Sequence, residues 1–217
     1  MTTTVVVADD QDLVRDGMEL ILSGQPDIEI VGTAGDGVTA IELARRLRPD
    51  VCLMDIRMPR VDGLEATRRL KADPLTAGTA VVVVTTFDLD EYVYGALRAG
   101  AGGFVLKNTG SALLIEAVRA AVRGDALISP SVTVRLLEHL AVPAADQQDA
   151  TAALTGQERN VVARVARGRT NDEISADLHI ALSTVKTHLG RIQERLGLRN
   201  RVEVAAWAWE HGLMRER

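Results

Sequence analysis

The most constraining feature of this sequence is an alternation in its first part. Five short apolar runs are each followed by a stretch with helical spacing. The runs are Thr4-Val5-Val6-Val7-Ala8, Ile28-Glu29-Ile30-Val31, Val51-Cys52-Leu53-Met54, Ala80 through Val84, and Phe104-Val105-Leu106. Continuous β-branched runs are what strands covered on both faces need. Leu13, Met18, Ile21 and Leu22 then give one helical face. Val38, Ile41, Leu43, Ala44 and Leu47 give a second, which Pro49 ends, and Leu64, Thr67, Arg68 and Leu70 belong to a third helix. Two more helices are expected over about 89–99, ending at Gly100, and over 111–123, ending at Gly124. Five strands alternating with five helices predict an α/β fold. Its sheet is five-stranded, parallel and doubly wound, in the flavodoxin-like manner, with right-handed crossovers.

The second part reads differently. Residues 141–153 are small and polar without a period, as in a linker, and a short helix is expected before them over about 130–140. From Leu154 the pattern is helical to the end, with breaks at Gly168, Gly197 and near Asn200, which predicts a small all-α module. The expected organisation is an α/β domain over 1–124, a linker with a short helix over 125–151, and the helical domain over 152–217. Charge divides along the same line. Residues 1–130 hold 13 Lys+Arg against 19 Asp+Glu, while residues 151–217 hold 11 against 8, within an overall net charge of −5. An acidic front and a basic back suggest different partners. No apolar run reaches ~18 residues, so no membrane partner is expected. Met1-Thr2-Thr3-Thr4 lacks the features of a secretory signal, and a cytoplasmic location is expected. The single cysteine, Cys52, excludes an internal disulfide and reads as an inert core residue.

In a doubly wound sheet, ligands gather at the carboxyl ends of the strands. Here the first predicted strand ends in Asp9-Asp10, the third in Asp55 and the fourth in Thr85, and Lys107 follows the fifth. Taken singly, Asp9-Asp10 also reads as a helix N-cap pair, Thr85 as strand-end polarity, Phe104 as core and Lys107 as a solvated charge. Taken together, three carboxylates at one point call for a hard divalent cation, and Mg²⁺ prefers such oxygen ligands. Metal, ammonium and hydroxyl are what a transferring phosphoryl group needs around its oxygens. One carboxylate can then be the acceptor.

Asp9-Asp10, Val51 through Pro59 with Asp55 inside it, Val84-Thr85 and Gly103-Phe104-Val105-Leu106-Lys107 resemble the receiver domain of two-component response regulators. The resemblance covers about residues 3–124. It implies that Asp55 is phosphorylated and that Asp10 and Asp55 bind Mg²⁺ directly. Asp9 would act through water, and the backbone carbonyl of Arg57 would complete the protein ligands. It also implies Thr85 as switch hydroxyl, Phe104 as an aromatic that turns inward, and Lys107 as phosphoryl-oxygen partner. Two positions depart from the family's common pattern. Thr86 stands where many receivers have a smaller residue, and Asn108 where many have proline. Arg57 and Phe87, two residues after Asp55 and Thr85, are expected to influence phosphoryl lifetime.

The C-terminal block opens with Thr155 and Glu158, a capping box, and repeats it with Thr170 and Glu173. A short turn near Ile180-Ala181 leads into a further helix, as in a helix-turn-helix. Val185, Leu189, Ile192 and Leu196 form its expected buried stripe. The opposite face presents Ser183, Lys186, Thr187, Gly190 and Arg191, either as a solvated face or as a surface for a DNA major groove. Leu154-Thr155 with Glu158, Asn171-Asp172-Glu173-Ile174, Thr184-Val185-Lys186-Thr187-His188 and Leu196-Gly197-Leu198 resemble a LuxR-type helix-turn-helix domain over about 152–214. Ser183, Thr184, Lys186, Thr187, His188 and Arg191 are then the candidate DNA contacts. Ala181 stands where many members have serine. The resemblance implies the last helix, over about 201–211 with Val204, Trp207 and Ala208, as the dimerisation surface; the alternative is that both tryptophans, Trp207 and Trp209, only seal the small core.

The two resemblances together imply a response regulator of the NarL/FixJ type. Its expected partners are a sensor histidine kinase, double-stranded DNA with paired half-sites, and a second copy of the chain when phosphorylated. It would be a regulator and not an enzyme. An aspartyl-phosphate phosphatase would want an acid two residues after the nucleophile, where this chain has Arg57. A small-molecule sensor would want an apolar cavity where this chain has carboxylates, and the five-residue pocket set disfavours a phosphorylation-independent regulator.

Overall fold

The structure is a computed structural model that describes residues 2–86, 90–127, 154–211 and 213, with backbone alone for 90, 91, 209 and 210. It divides into two compact units, within residues 1–132 and 133–217.

In the first unit, β1 (Thr3–Ala8), β2 (Ile28–Ala34), β3 (Val51–Met54), β4 (Ala80–Thr85) and β5 (Gly103–Leu106) alternate with five helices. These are α1 (Asp12–Ser23), α2 (Gly37–Leu47), α3 (Gly63–Ala72), α4 (Asp90–Ala99) and α5 (Ser111–Arg123). All strand pairs are parallel, in the order β2-β1-β3-β4-β5. Side chains alternate between faces along each strand. Val5, Val7, Leu53, Val82 and Val84 therefore pack with Met18 and Leu22 of α1 and Val118 of α5. Val6, Ala8, Cys52, Met54 and Val81 pack on the other face with Ile41 and Ala44 of α2 and Leu70 of α3. Burial of each such side chain stabilises by ~1.5–3 kcal/mol, which explains why the strands read as unbroken apolar runs. Cys52 is fully buried, and burial pushes its thiol up to about 12.

Two helix positions differ from the sequence expectation. Leu13 is 85% exposed, because the inward stripe of α1 runs through Val14, Met18, Ile21 and Leu22 and Leu13 lies ~100° away from it. Leu47, the last residue of α2, lies partly outside the core. The predicted boundary at 124 is followed by three ordered residues: the Phe104 amide donates to the Leu127 carbonyl at 3.0 Å, and Leu127 packs on the first core face. The helix expected over 130–140 and the linker after it lie outside the described residues, as does Phe87.

The second unit holds α6 (Gly156–Ala166), α7 (Asn171–Leu178), α8 (Leu182–Leu196) and α9 (Arg201–Glu210). Both expected capping boxes are present, Thr155 with Glu158 and Thr170 with Glu173. Val161, Val165, Ile174, Val185, Leu189 and Ile192 form the core, with Leu196 half-buried at its edge. Val204, Trp207 and Ala208 also point into this core and are buried there. These three side chains thus help to seal the small core. A bundle of four short helices has little apolar area and needs all of them inside.

Asp36 caps α2. Its carboxylate accepts from the Thr39 amide at 2.9 Å and pairs with Arg60. Burial raises its pKa, but the Thr39 amide, Arg60 and the Thr39 hydroxyl outweigh this and hold it down at about 2. Asp36→Ala is expected to cost ~1–2 kcal/mol in urea unfolding at pH 7. Because the folded-state pKa is lowered, the difference from wild type should persist above pH 5. It should shrink as pH falls from 4 toward 2.

Candidate functional site

The chain leaves β1 toward β2 on one side and later enters β3 on the other. The crevice between the carboxyl ends of β1 and β3 is therefore the switch point of the sheet. The side chains there are held by the strand ladder itself. The Asp9 amide donates to Ala34 at 3.0 Å, and the Asp55 amide donates to Ala8 at 2.8 Å. Each ladder bond extends its strand by one residue and fixes where the carboxylate starts. Asp9 and Asp55 are buried, Asp10 is exposed, and one oxygen from each of the three lies within 4.8 Å of the others.

Lys107, placed after β5 by its amide bond to the Thr85 carbonyl (2.9 Å), reaches back into this crevice. Its Nζ lies 2.5 Å from Asp9 Oδ2 and 3.2 Å from Asp55 Oδ1. Both of those oxygens are buried and accept no well-directed hydrogen bond among the described residues. The other Asp9 oxygen accepts from the Gln11 amide at 3.1 Å, and Asp55 Oδ2 accepts from the Arg57 amide at 3.2 Å. Burial pushes the Asp55 carboxyl up. The Lys107 charge works against that push, the Asp9 charge adds to it, and the close approach of the Lys107 ammonium and the Thr85 hydroxyl opposes it.

Two carboxylates no more than 4.8 Å apart repel by at least ~3 kcal/mol at an effective dielectric of 20, and one ammonium cannot neutralise three of them. Hard oxygen ligands, excess negative charge and orphaned buried oxygens fit a divalent cation of the Mg²⁺ kind. The crevice thus joins Asp9, Asp10, Asp55, Thr85 and Lys107. Phe104 is in β5 opposite Val83 and is already fully buried. Thr86 and Asn108 are both exposed.

Sequence reasoning missed two contributors. Gly63 opens α3, and a Cβ there would lie 1.8 Å from the Asp55 carbonyl oxygen. Glycine alone lets the start of α3 pass this close to the acidic residue's backbone. Arg15 donates to the Asp9 carbonyl at 2.6 Å. The Asp62-Gly63 pair at the start of a helical pattern was a visible hint, whereas Arg15 carried none.

In the second unit α8 carries the other candidate set. Ser183, Lys186, Thr187 and Arg191 are exposed, and Thr184 and His188 are half-buried at the flanks. A Cβ at Gly190 would meet nothing within 4 Å, so this glycine keeps the outward face low without serving the core. Ala181 caps α8 without a side-chain hydrogen bond. Glu158 is buried at the start of α6, where it accepts from the Thr155 amide at 2.8 Å and from Arg195 of α8 at 2.7 Å. The Thr155 amide bond, Arg195 and His188 hold its carboxyl below the usual range against the effect of burial.

Residues 5–119 match the model of the response regulator receiver domain, and residues 152–208 that of the bacterial regulatory proteins of the luxR family. The chain belongs to the response regulators with a LuxR-type DNA-binding domain. It is 36% identical over 212 residues to the uncharacterized transcriptional regulatory protein YxjL of Bacillus subtilis (strain 168), covering 97% of this chain and 96% of that one. It is 36% identical over 214 residues to the response regulator protein VraR of Staphylococcus aureus (strain NCTC 8325 / PS 47), covering 99% and 100%. The crystal structure of the response regulator ChrA of a heme-sensing two-component system matches with a TM-score of 0.54 at 31% identity, over 98% of each chain. This response regulator is thus a DNA-binding transcriptional regulator of the two-component type. None of its described helices is long and apolar enough to cross a membrane.

Gly63→Ala should force the start of α3 away from Asp55. The expected result is a loss of ~1–3 kcal/mol of stability, measured by urea unfolding of the full chain.

Proposed function

We propose that Asp55 is the phosphoacceptor and that a sensor histidine kinase is the donor. The observation that carries this is the meeting of Asp9, Asp10, Asp55 and Lys107 at the switch point of the sheet. In the transfer, an Asp55 carboxylate oxygen attacks the phosphorus of a phosphohistidine. The new P–O bond forms as the P–N bond breaks, and the imidazole keeps the bonding pair. Lys107 and the Thr85 hydroxyl bind the transferred oxygens. Asp10, Asp55 and the Arg57 carbonyl would hold Mg²⁺ directly, and Asp9 through water. Bound Mg²⁺ supplies neutralisation of charge on the phosphoryl oxygens. A phosphoryl group adds about −1.5 to −2 charge beside Lys107 and Thr85 and shifts the receiver between two populations. Thr85 and Lys107 turn toward the new charge, and Phe104 is the aromatic that follows them.

The activated population pairs two copies of the chain on double-stranded DNA, whose paired half-sites mirror the two-fold symmetry. Ser183, Lys186, Thr187 and Arg191 enter the major groove, flanked by Thr184 and His188. The working division is a receiver over 1–124, a linker over 125–151 and the DNA-binding domain over 152–217. The protein acts as a regulator that carries a phosphoryl group and not as an enzyme turning over a substrate.

Asp55→Asn should abolish labelling by phosphoramidate in the presence of Mg²⁺, with folding retained by circular dichroism. Retained labelling would remove Asp55 from its assigned role. DNA affinity should fall steeply with salt through counterion release. Lys186→Ala with Arg191→Ala should flatten the plot of log affinity against log salt by about 2. An unchanged slope would take both residues out of the interface.

A further inference from the structure

Arg57 faces two ways. Its amide donates to Asp55 Oδ2 at 3.2 Å, so its backbone already touches the acidic crevice. Its guanidinium turns instead to α4, where it donates to the Tyr92 hydroxyl at 2.7 Å and sits 5.7 Å from the centre of that ring. Arg57 is exposed and Tyr92 half-buried in the first turn of α4. A cation two residues from the acceptor is thus tied to a neutral phenol on a neighbouring helix.

The two candidate acceptors for this guanidinium are unequal. A phenol oxygen offers one neutral acceptor and a ring face. A phosphoryl group on Asp55 would offer three charged oxygens, and guanidinium bonds to such oxygens are bidentate and roughly twice as strong. The ammonium of Lys107 already serves Asp9 and Asp55 from the β5 side. A second cation approaching from the β3–α3 loop would meet the incoming charge from another direction.

We propose that the Arg57 guanidinium is a second cationic partner of a phosphoryl group on Asp55, held on Tyr92 until that group arrives. This rests on the phosphoacceptor role of Asp55 given above. Loading of Asp55 moves the guanidinium from phenol to phosphoryl and releases its hold on the first turn of α4. The same exchange makes the Tyr92 hydroxyl a competitor of the phosphoryl group for one side chain.

Competition has a signature that a merely structural contact lacks: removing the two members of the pair changes ligand affinity in opposite directions. The experiment is calorimetric titration of the full chain with beryllium fluoride, a mimic of the carboxylate-bound phosphoryl group, at saturating Mg²⁺. Tyr92→Phe keeps the ring, deletes the acceptor, and should tighten binding about threefold. Arg57→Met deletes the cation and should weaken binding about tenfold, with Arg57→Lys between it and wild type. Any result in which the Phe and Met variants fail to move in opposite directions overturns the exchange. If wild type binds beryllium fluoride in that case, Asp55 keeps its role. A wild type that neither binds it nor labels with phosphoramidate overturns the Asp55 reading as well.

Discussion

The first unit depends on one electrostatic arrangement: two buried carboxylates, Asp9 and Asp55, facing a single ammonium, Lys107. Such groups do not persist in a core by accident. Burying a carboxylate costs several kcal/mol unless opposite charge and hydrogen bonds offset it. Here the offset is partial. One lysine serves two acids, each acid keeps one oxygen without a directed bond, and the push on Asp55 is toward the protonated form. A site left short of positive charge is prepared to take some in. Such a site suits the receiver family that residues 5–119 match.

The rest of the α/β unit holds this arrangement in place. The parallel sheet brings residues from positions 9, 55, 85 and 107 to one edge because strands that alternate with helices all end on the same side. Two apolar layers, one per face, make that sheet rigid. Gly63 then lets α3 start against the Asp55 backbone, where any Cβ would collide.

The helical unit solves a different problem. It must fix the direction of α8 with few buried residues. It does so with a compact core, two capping boxes, and the Glu158–Arg195 ion pair that ties the start of α6 to α8. Breaking that pair would leave a carboxylate that is 3% exposed without its cation. Its position explains why a glutamate reads both as a cap in sequence and as a cross-helix anchor in space.

The sequence by itself determined the fold class and most of the site. Periods of two and of 3.6 are local signals, and four strand ends named Asp9, Asp10, Asp55, Thr85 and Lys107 before any distance was known. It could not separate neighbours on a helix by ~100° of rotation, so Leu13 was grouped with the inward residues of α1 when the packing puts it out. It left open whether Val204, Trp207 and Ala208 face a partner or their own core, since an apolar face looks the same in either case. Only the tertiary structure put these three side chains in the core, and only it gave the approach of Gly63 to Asp55 and the turn of Arg57 toward Tyr92. These are contacts between residues distant in the chain or set by rotation about side-chain bonds, and no local pattern encodes them.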